Sequence, residues 1–427
     1  MSTALVNARI IDPETLTEMP GTVIISGTRI VDVLPTGIPF TADTEIECNG
    51  KCLAPGIIDI GVKVSEPGER QKESFATAGR AAAAGGVTTI VTRPDTLPPV
   101  DTPEAMQFLI RRAAEDCIVR MLPMAALTKG RDGREMTEIG FLQDAGAVAF
   151  TDADRPVRDT RVLSRALSYA AMMDALVIGH GQDPDLSEGA AATSGAFATK
   201  LGLPSVSPVA ERLQIDRGLT LATASGVRFH IDQVSTEMGV AALRAHKGKN
   251  PAITAGVSVH HLTLNEFDIG DYRTFFKLKP PLRAETDRQA VVGALADGTI
   301  DIISSMHTPQ DEESKRLPFA DAASGAVALE TLLPAALRLV HAGDMPLPVL
   351  IRAMTLNPAR RLGLPHGRIA AGAPADLMLF DPDVPFRLDR HTLRSKSKNT
   401  PFDLAQMQGR VLKTLVDGQV IFDRDSA

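Results

Sequence analysis

The apolar positions of this chain recur as short runs separated by longer stretches of helical periodicity. The runs are Ile57–Ile60, Thr88–Val91, Ile118–Leu122, Val148–Phe150, Ala175–Ile178, Val227–Ile231, Ile253–Val257 and Ile300–Ile303. Each is short and bounded by polar or turn-forming residues, as buried strands are. Helical patterns fill the gaps. The clearest begins at the cap and first-turn pair Thr102-Pro103, with Met106, Leu109, Ile110 and Ala113 following at helical spacing. Repeated strand–helix units predict an α/β fold whose parallel sheet closes into a (β/α)8 barrel over residues 55–365. Residues 183–210 are rich in small side chains and predict an irregular connection after strand five.

The two ends read differently. Ala4–Ile11, Thr22–Ile25 and Arg29–Val33 are β-rich and punctuated by Asp-Pro, Ser-Gly and Thr-Gly turns. Asp376–Phe380, Arg410–Val416 and Gln419–Phe422 read likewise, with Asp417-Gly418 as a tight hairpin turn. Strands at one end need partners, and the other end can supply them. A small β-sandwich satellite of residues 1–54 with 366–427 is therefore expected.

Composition narrows the class. Apolar residues at 44% and charged residues at 23% exclude a largely disordered chain. A net charge of -7, with no Trp and only 2 Tyr, gives no reason to expect a nucleic-acid partner. No apolar run is long enough to cross a membrane. The opening MSTALVNARIIDPE lacks a basic stretch followed by an apolar one, so no secretory signal is expected. Cys48, Cys52 and Cys117 are too few for a disulfide framework and lack zinc-finger spacing. The expected compartment is the reducing cytoplasm.

Barrel enzymes carry their chemistry at the carboxyl ends of the strands. Those ends here hold Gly61, Lys63 and Ser65; Arg93, Pro94 and Asp95; Asp152, Ala153 and Asp154; His180; Asp232, Gln233 and Ser235; His260 and His261; and Met306 with His307. The set is polar but poor in metal ligands. No HxH, HExxH, Walker loop or GxSxG occurs, and no GxGxxG follows a strand.

These strand ends nevertheless resemble a known family. The stretch Pro55-Gly-Ile-Ile-Asp-Ile-Gly-Val-Lys-Val-Ser-Glu-Pro-Gly68 is similar to PGxIDxHVHxREPG of the dihydroorotases. Ala82–Thr89 with Arg93-Pro-Asp-Thr96 resembles AAAGGxTT…MPNT, and Val148–Asp154 resembles VAFSDDG. His180-Gly-Gln-Asp183 resembles HCED, His230–Thr236 resembles HxxHVST, and Val259-His-His-Leu262 resembles PHHL. Lys279-Pro-Pro-Leu-Arg283 resembles NPPLR, and Asp301–Gln310 resembles DxIATDHAPH. Ala328-Leu329-Glu330, Asn357-Pro358-Ala359, Gly367–Leu377 and Ser395–Phe402 complete the likeness, in order, over nearly the whole chain. The resemblance is to the longer bacterial dihydroorotases of the amidohydrolase superfamily. It implies zinc-assisted closure of carbamoyl-aspartate to dihydroorotate, with an Asp moving the proton.

The departures from that pattern fall on the chemistry. The family's paired metal histidines are Gly61 and Lys63, and its metal carboxylate is Ala153 unless the register slips to Asp152. The HVST histidine is Gln233 and the proton-shuttling Asp is Met306, so His180 alone survives of the ligand set. The substrate-facing Arg is Ser65, and the two Asn are Asp95 and Lys279; His307 is kept. Catalytic zinc takes three protein ligands plus water. No catalytic residue and no metal or other cofactor is therefore expected in this vestigial cavity. Lys63 and Lys279 are expected to pair with Asp95 or Asp152, since buried charges need partners. His180, His230, His260 and His261 are expected to be structural, and the Ser395–Lys398 run a solvated loop.

The expected role is that of a non-catalytic homologue serving aspartate carbamoyltransferase as a structural partner, in a homo- or hetero-oligomer. An alternative is an active dihydroorotase or related cyclic-amide hydrolase. It would use an atypical zinc site drawn from Asp152, His180, Gln233 and His260 or His307. A second alternative is an anion or metabolite sensor using Lys63, Lys279 and His307.

Overall fold

Strand one of the barrel, Ile57–Val62, is buried along its whole length. A strand between an inner core and a layer of helices has no solvent face. The others follow at Val87–Thr92, Arg120–Pro123, Leu176–Gly179, Arg228–Ile231, Ile253–Ser258 and Ile302–Ser304, each parallel to its neighbour. The fourth expected run is joined only by bridges: Phe150 pairs in parallel with Ala125 and Val177. The ring closes where the Lys63 N–H donates to the His307 carbonyl at 2.9 Å. The computed structural model describes residues 2–248 and 250–426.

The core has separate compartments. Ile58, Ile60, Val91, Met124, Ala149, Leu176, Ile178 and Ile302 come from different strands and meet inside the barrel. A larger cluster lies between the strands and the surrounding helices. Helix Pro103–Asp116 shows how the helices join it. The Thr102 hydroxyl accepts from the Ala105 N–H, and Met106, Leu109 and Ala113 are buried at helical spacing. Residues 183–210 hold more order than their composition predicts. Ala192–Thr193 pairs in parallel with Ser205–Val206 across the short helix Ala196–Leu201, so the backbone groups there satisfy one another.

Both ends of the chain build one further sheet. Its strand order is Gln419–Asp423, Gln406–Val416, Leu377–Arg387, Cys52–Pro55, Ser2–Asp12, Thr17–Ser26, Arg29–Pro35, with Thr44–Glu47 also paired to Ser2–Asp12. The seam is antiparallel, with Leu377 opposite Pro55 and Phe380 opposite Cys52. Leu5, Ile10, Val23, Ile30, Leu53, Leu377 and Leu415 form its own core. Asp417 and Gly418 both take positive φ, the geometry a two-residue hairpin requires. Gly86 marks where the barrel approaches this sheet closely: its φ is 78°, and a Cβ there would lie 2.9 Å from the Met378 sulfur. The cysteines are free, and burial pushes the Cys48 and Cys52 thiols up to about 12. Among the described residues no helix is long and apolar enough to cross a membrane.

Candidate functional site

The middle of the barrel mouth is filled by packing. Gly61 holds φ at 99°, and a Cβ there would lie 2.7 Å from the Met306 sulfur. Met306 itself has φ at 48° and is nearly buried. Its thioether therefore occupies the space over strand one that a larger residue at position 61 would need. Gly61, Arg93, Ala153, His230, Asp232 and Met306 enclose a void of about 10 Å³, at the threshold of about 10–15 Å³ for one water molecule.

Around this plug the charges are matched. Arg93 binds Asp95 bidentately, with Nε and Nη2 donating at 3.1 and 2.8 Å. Lys63 Nζ lies 3.4 Å from Asp95 and 3.6 Å from Glu69. Burial opposes ionisation of Asp95, but Arg93 and Lys63 outweigh it and hold the carboxyl at about 2. Across the mouth, Asp154 accepts from Arg131 Nη2 at 2.7 Å and from Lys279 Nζ at 3.1 Å. Burial again works against the charge, and Lys279, Arg93 and Arg131 hold Asp154 well below the usual carboxylate range. Lys63 thus finds the expected Asp95. Lys279 does not pair with Asp95 or Asp152; its partner is Asp154, which the strand-four turn points at it.

His180 stands between plug and solvent. Its Nδ1 lies 2.9 Å from Asp232 Oδ2. A carboxylate only accepts, so Nδ1 carries a proton and donates to Asp232, which leaves Nε2 to face the cavity. That Nε2 is buried and has no protein partner. A cavity of about 510 Å³ opens beside it, lined by Arg131, Asp154, His180, Gln182 and Lys279 among others.

Several expected cavity residues are turned elsewhere. Asp152 Oδ1 accepts from the Leu127 and Thr128 N–H groups at 3.0 Å, and Oδ2 from the Thr128 hydroxyl at 2.5 Å. Burial pushes its carboxyl up to about 6 despite those donors. Gln233 donates to the Lys279 carbonyl at 3.4 Å. His260 stacks on Phe402, with Nδ1 at 3.1 Å from the Ser258 hydroxyl, and burial pushes it down to about 3. His261 Nε2 lies 3.3 Å from the Pro281 carbonyl. Ser65 is fully buried, and its hydroxyl has no partner.

His307 corrects the expectation most directly. Its side chain is fully buried. Its Nδ1 accepts from the Ala328 and Leu329 N–H groups, and its Nε2 lies 3.3 Å from Glu73 in a fully buried pair. Both ring nitrogens are used, so none remains for an anion.

A family profile described as Dihydro-orotase-like matches residues 50–238, and one described as Amidohydrolase family matches residues 330–422. The dihydroorotase of Anaplasma phagocytophilum is 38% identical over 425 residues, covering 98% of this chain and 95% of the relative. That of Desulforapulum autotrophicum is 37% identical over 423 residues, covering 98% of each. The chain belongs to the dihydroorotase family. The L-hydantoinase (dihydropyrimidinase) of Arthrobacter aurescens shares the fold, with a TM-score of 0.89 at 23% identity over 99% of this chain and 96% of that one.

The dihydroorotase family's zinc does not fit this mouth. At the positions where the resemblance implies metal ligands, the chain carries one imidazole, His180, and the Lys63 ammonium. The carboxylate that a slipped register would supply, Asp152, is already committed to Thr128 and Leu127. Among the described residues no three His, Cys, Asp or Glu side chains gather as a metal site would require. The atypical set does not assemble either: among the described residues Asp152, His180, His260 and His307 do not gather as a metal site would require, and His307 and Asp152 are committed to other partners.

Sequence reasoning assigned no role to Arg93, Arg131, Asp154 or Asp232, although they organise the mouth. Arg93 and Asp95 are two apart, and Asp232 follows His230 by two, so alternation along an extended segment was an available signal. Nothing local marks Glu211. It is fully buried beside Arg283 at 3.5 Å and accepts from the Ser235 and Thr236 N–H groups at 2.8 Å.

Proposed function

We propose that this chain is a non-catalytic member of the dihydroorotase family that acts in pyrimidine synthesis as a structural partner of aspartate carbamoyltransferase. Its place of work is the cytoplasm, within a homo- or hetero-oligomer. One observation carries the reading: the Met306 thioether packs over Gly61 where the family's metal chemistry would lie. The charge-matched mouth supports it, because ionised groups committed to one another are not free to bind a dicarboxylate. The retained fold with altered chemistry points to the outer surface as the part in use.

The test has two arms. Purified chain supplied with zinc is assayed for dihydroorotate formation and hydrolysis, with no turnover above background expected. Aspartate carbamoyltransferase from the same source is then sized and assayed with and without the chain. Association and raised activity are expected. A transferase fully assembled and active alone would end the structural reading.

A second reading is an active dihydroorotase. Its support is the likeness, at 36% identity over 427 residues, to a protein named dihydroorotase from Ehrlichia chaffeensis. Zinc-dependent turnover would establish it and would require ligands other than those of the family.

A further inference from the structure

A second basic region lies outside the barrel mouth. Loop residues 310–315 after strand eight and the segment 390–399 enclose a cleft of about 240 Å³, with Gln71 and Phe275 at its edge. Lys315, Lys396, Lys398 and Arg390 line it. Among the described residues, Lys315, Lys396 and Lys398 find no carboxylate. Lys315 is almost wholly buried, and its Nζ donates to the carbonyls of Thr274 at 3.0 Å and Ala323 at 2.6 Å. Lys396 Nζ donates to the Arg70 carbonyl at 2.8 Å. Lys398 Nζ donates to the carbonyls of Ser395, at 2.7 Å, and Leu393. Lys277, just behind, donates to the Ala320 carbonyl at 2.6 Å.

Asp311 and Glu312 share the lining of the cleft, but among the described residues neither forms an ion pair with its lysines. Asp311 accepts from the Ser314 N–H at 2.8 Å, and Glu312 pairs with Arg316 at 2.8 Å. Glu73 faces His307 and the Ser395 hydroxyl. Arg390 has Asp403 at 3.6 Å and lies over the Phe275 ring. Burial pushes Lys315 down to about 7, and Lys277 adds to the effect. Carbonyl dipoles hold these ammoniums in place but leave their charge unanswered.

We infer that this cleft binds a small phosphate-bearing anion. Lys396 and Lys398 donate to its oxygens, because each ammonium has three N–H groups and its carbonyl contacts leave at least one free. Lys315 has the Lys277 carbonyl at 3.5 Å as a third acceptor, so it makes no contact with the anion and instead braces the cleft wall. The cleft's size suits a phosphorylated metabolite rather than a polymer. This inference is independent of whether the chain turns over dihydroorotate.

The test is calorimetric titration of the full chain with inorganic phosphate and with pyrophosphate, at ionic strength held constant with chloride. Saturable binding is expected, tighter for pyrophosphate. Lys396→Gln and Lys398→Gln are each expected to weaken it by about tenfold, the scale of a charge-assisted hydrogen bond. Lys396 is exposed, so its replacement leaves the fold intact. Lys279→Gln, in the barrel mouth, is expected to leave the dissociation constant unchanged. Absence of binding to either anion would overturn the proposal. So would binding lost in Lys279→Gln but kept in the other two, since that would place the anion in the barrel mouth.

Discussion

The barrel mouth and the cleft beside residues 390–399 are both rich in basic side chains, yet they have solved opposite electrostatic problems. In the mouth, Lys63 and Arg93 share Asp95, while Arg131 and Lys279 share Asp154. In the cleft, Lys315, Lys396 and Lys398 end on backbone carbonyls. The first arrangement is complete in itself. The second has counter-charge missing. Richness in Lys and Arg alone does not mark a binding site; the informative quantity is how much of that charge the fold leaves unmatched.

The sharpest way to break the comparison is to unbalance the mouth. Its wall contains Gln182, whose amide donates at 3.0 Å to Glu211, the fully buried partner of Arg283. Glu211→Gln leaves Arg283 without its carboxylate and is expected to cost about 3–5 kcal/mol in urea unfolding. A cost under about 1 kcal/mol would show that the mouth tolerates unpaired charge as the cleft does.

Asp95→Asn probes the outer pair and is expected to cost about 2 kcal/mol near neutral pH. Its pH dependence has a definite sign. The folded carboxyl is held at about 2, below its ordinary 3.8. The stabilisation is therefore present above the ordinary value and is lost as pH falls toward 2. The gap between parent and Asp95→Asn melting midpoints should narrow on acidification from pH 5. A gap that widened would mean that Arg93 and Lys63 do not hold this carboxyl.

The smallest effect concerns the plug. Gly61→Ala places a Cβ against the Met306 sulfur at positive φ and is expected to destabilise by about 1–2 kcal/mol. In a Met306→Ala background the steric part disappears, so the double-mutant cycle should show coupling. Zero coupling would mean that the thioether moves aside freely and that the centre of the mouth is not filled.

Much of this architecture was legible in the sequence because it is local. The apolar runs from Ile57 to Ile303 mark the barrel strands, and Thr102-Pro103 and Asp417-Gly418 carry their own backbone geometry. Thr44–Glu47 and Cys52–Pro55 were not legible as strands, being short and paired with chain far from them. In the site, the residues standing at the positions where the resemblance implies metal ligands (Gly61, Lys63, Ala153 and Gln233) and the proton shuttle (Met306) could be read directly. What replaced them could not. The approach of Met306 to Gly61, of Asp154 to Lys279 and of Glu73 to His307 depends on strands meeting in space. His307 shows the cost of reading a site by residue type: the side chain is retained, but its partners make it part of the frame.

The seam between the two chain ends also sets an order of events during synthesis. Lys51 meets Asp381 at 2.6 Å, although they are 330 residues apart in the chain. On the ribosome, strand Cys52–Pro55 emerges long before its neighbour Leu377–Phe380 is made. Throughout that interval it is an unpaired edge beside exposed apolar surface, the kind of intermediate that invites wrong pairing between nascent chains. The sheet can close only after nearly all of the barrel has been translated. The satellite sheet is thus completed only after the barrel, although strand Ser2–Asp12 precedes the barrel in the chain.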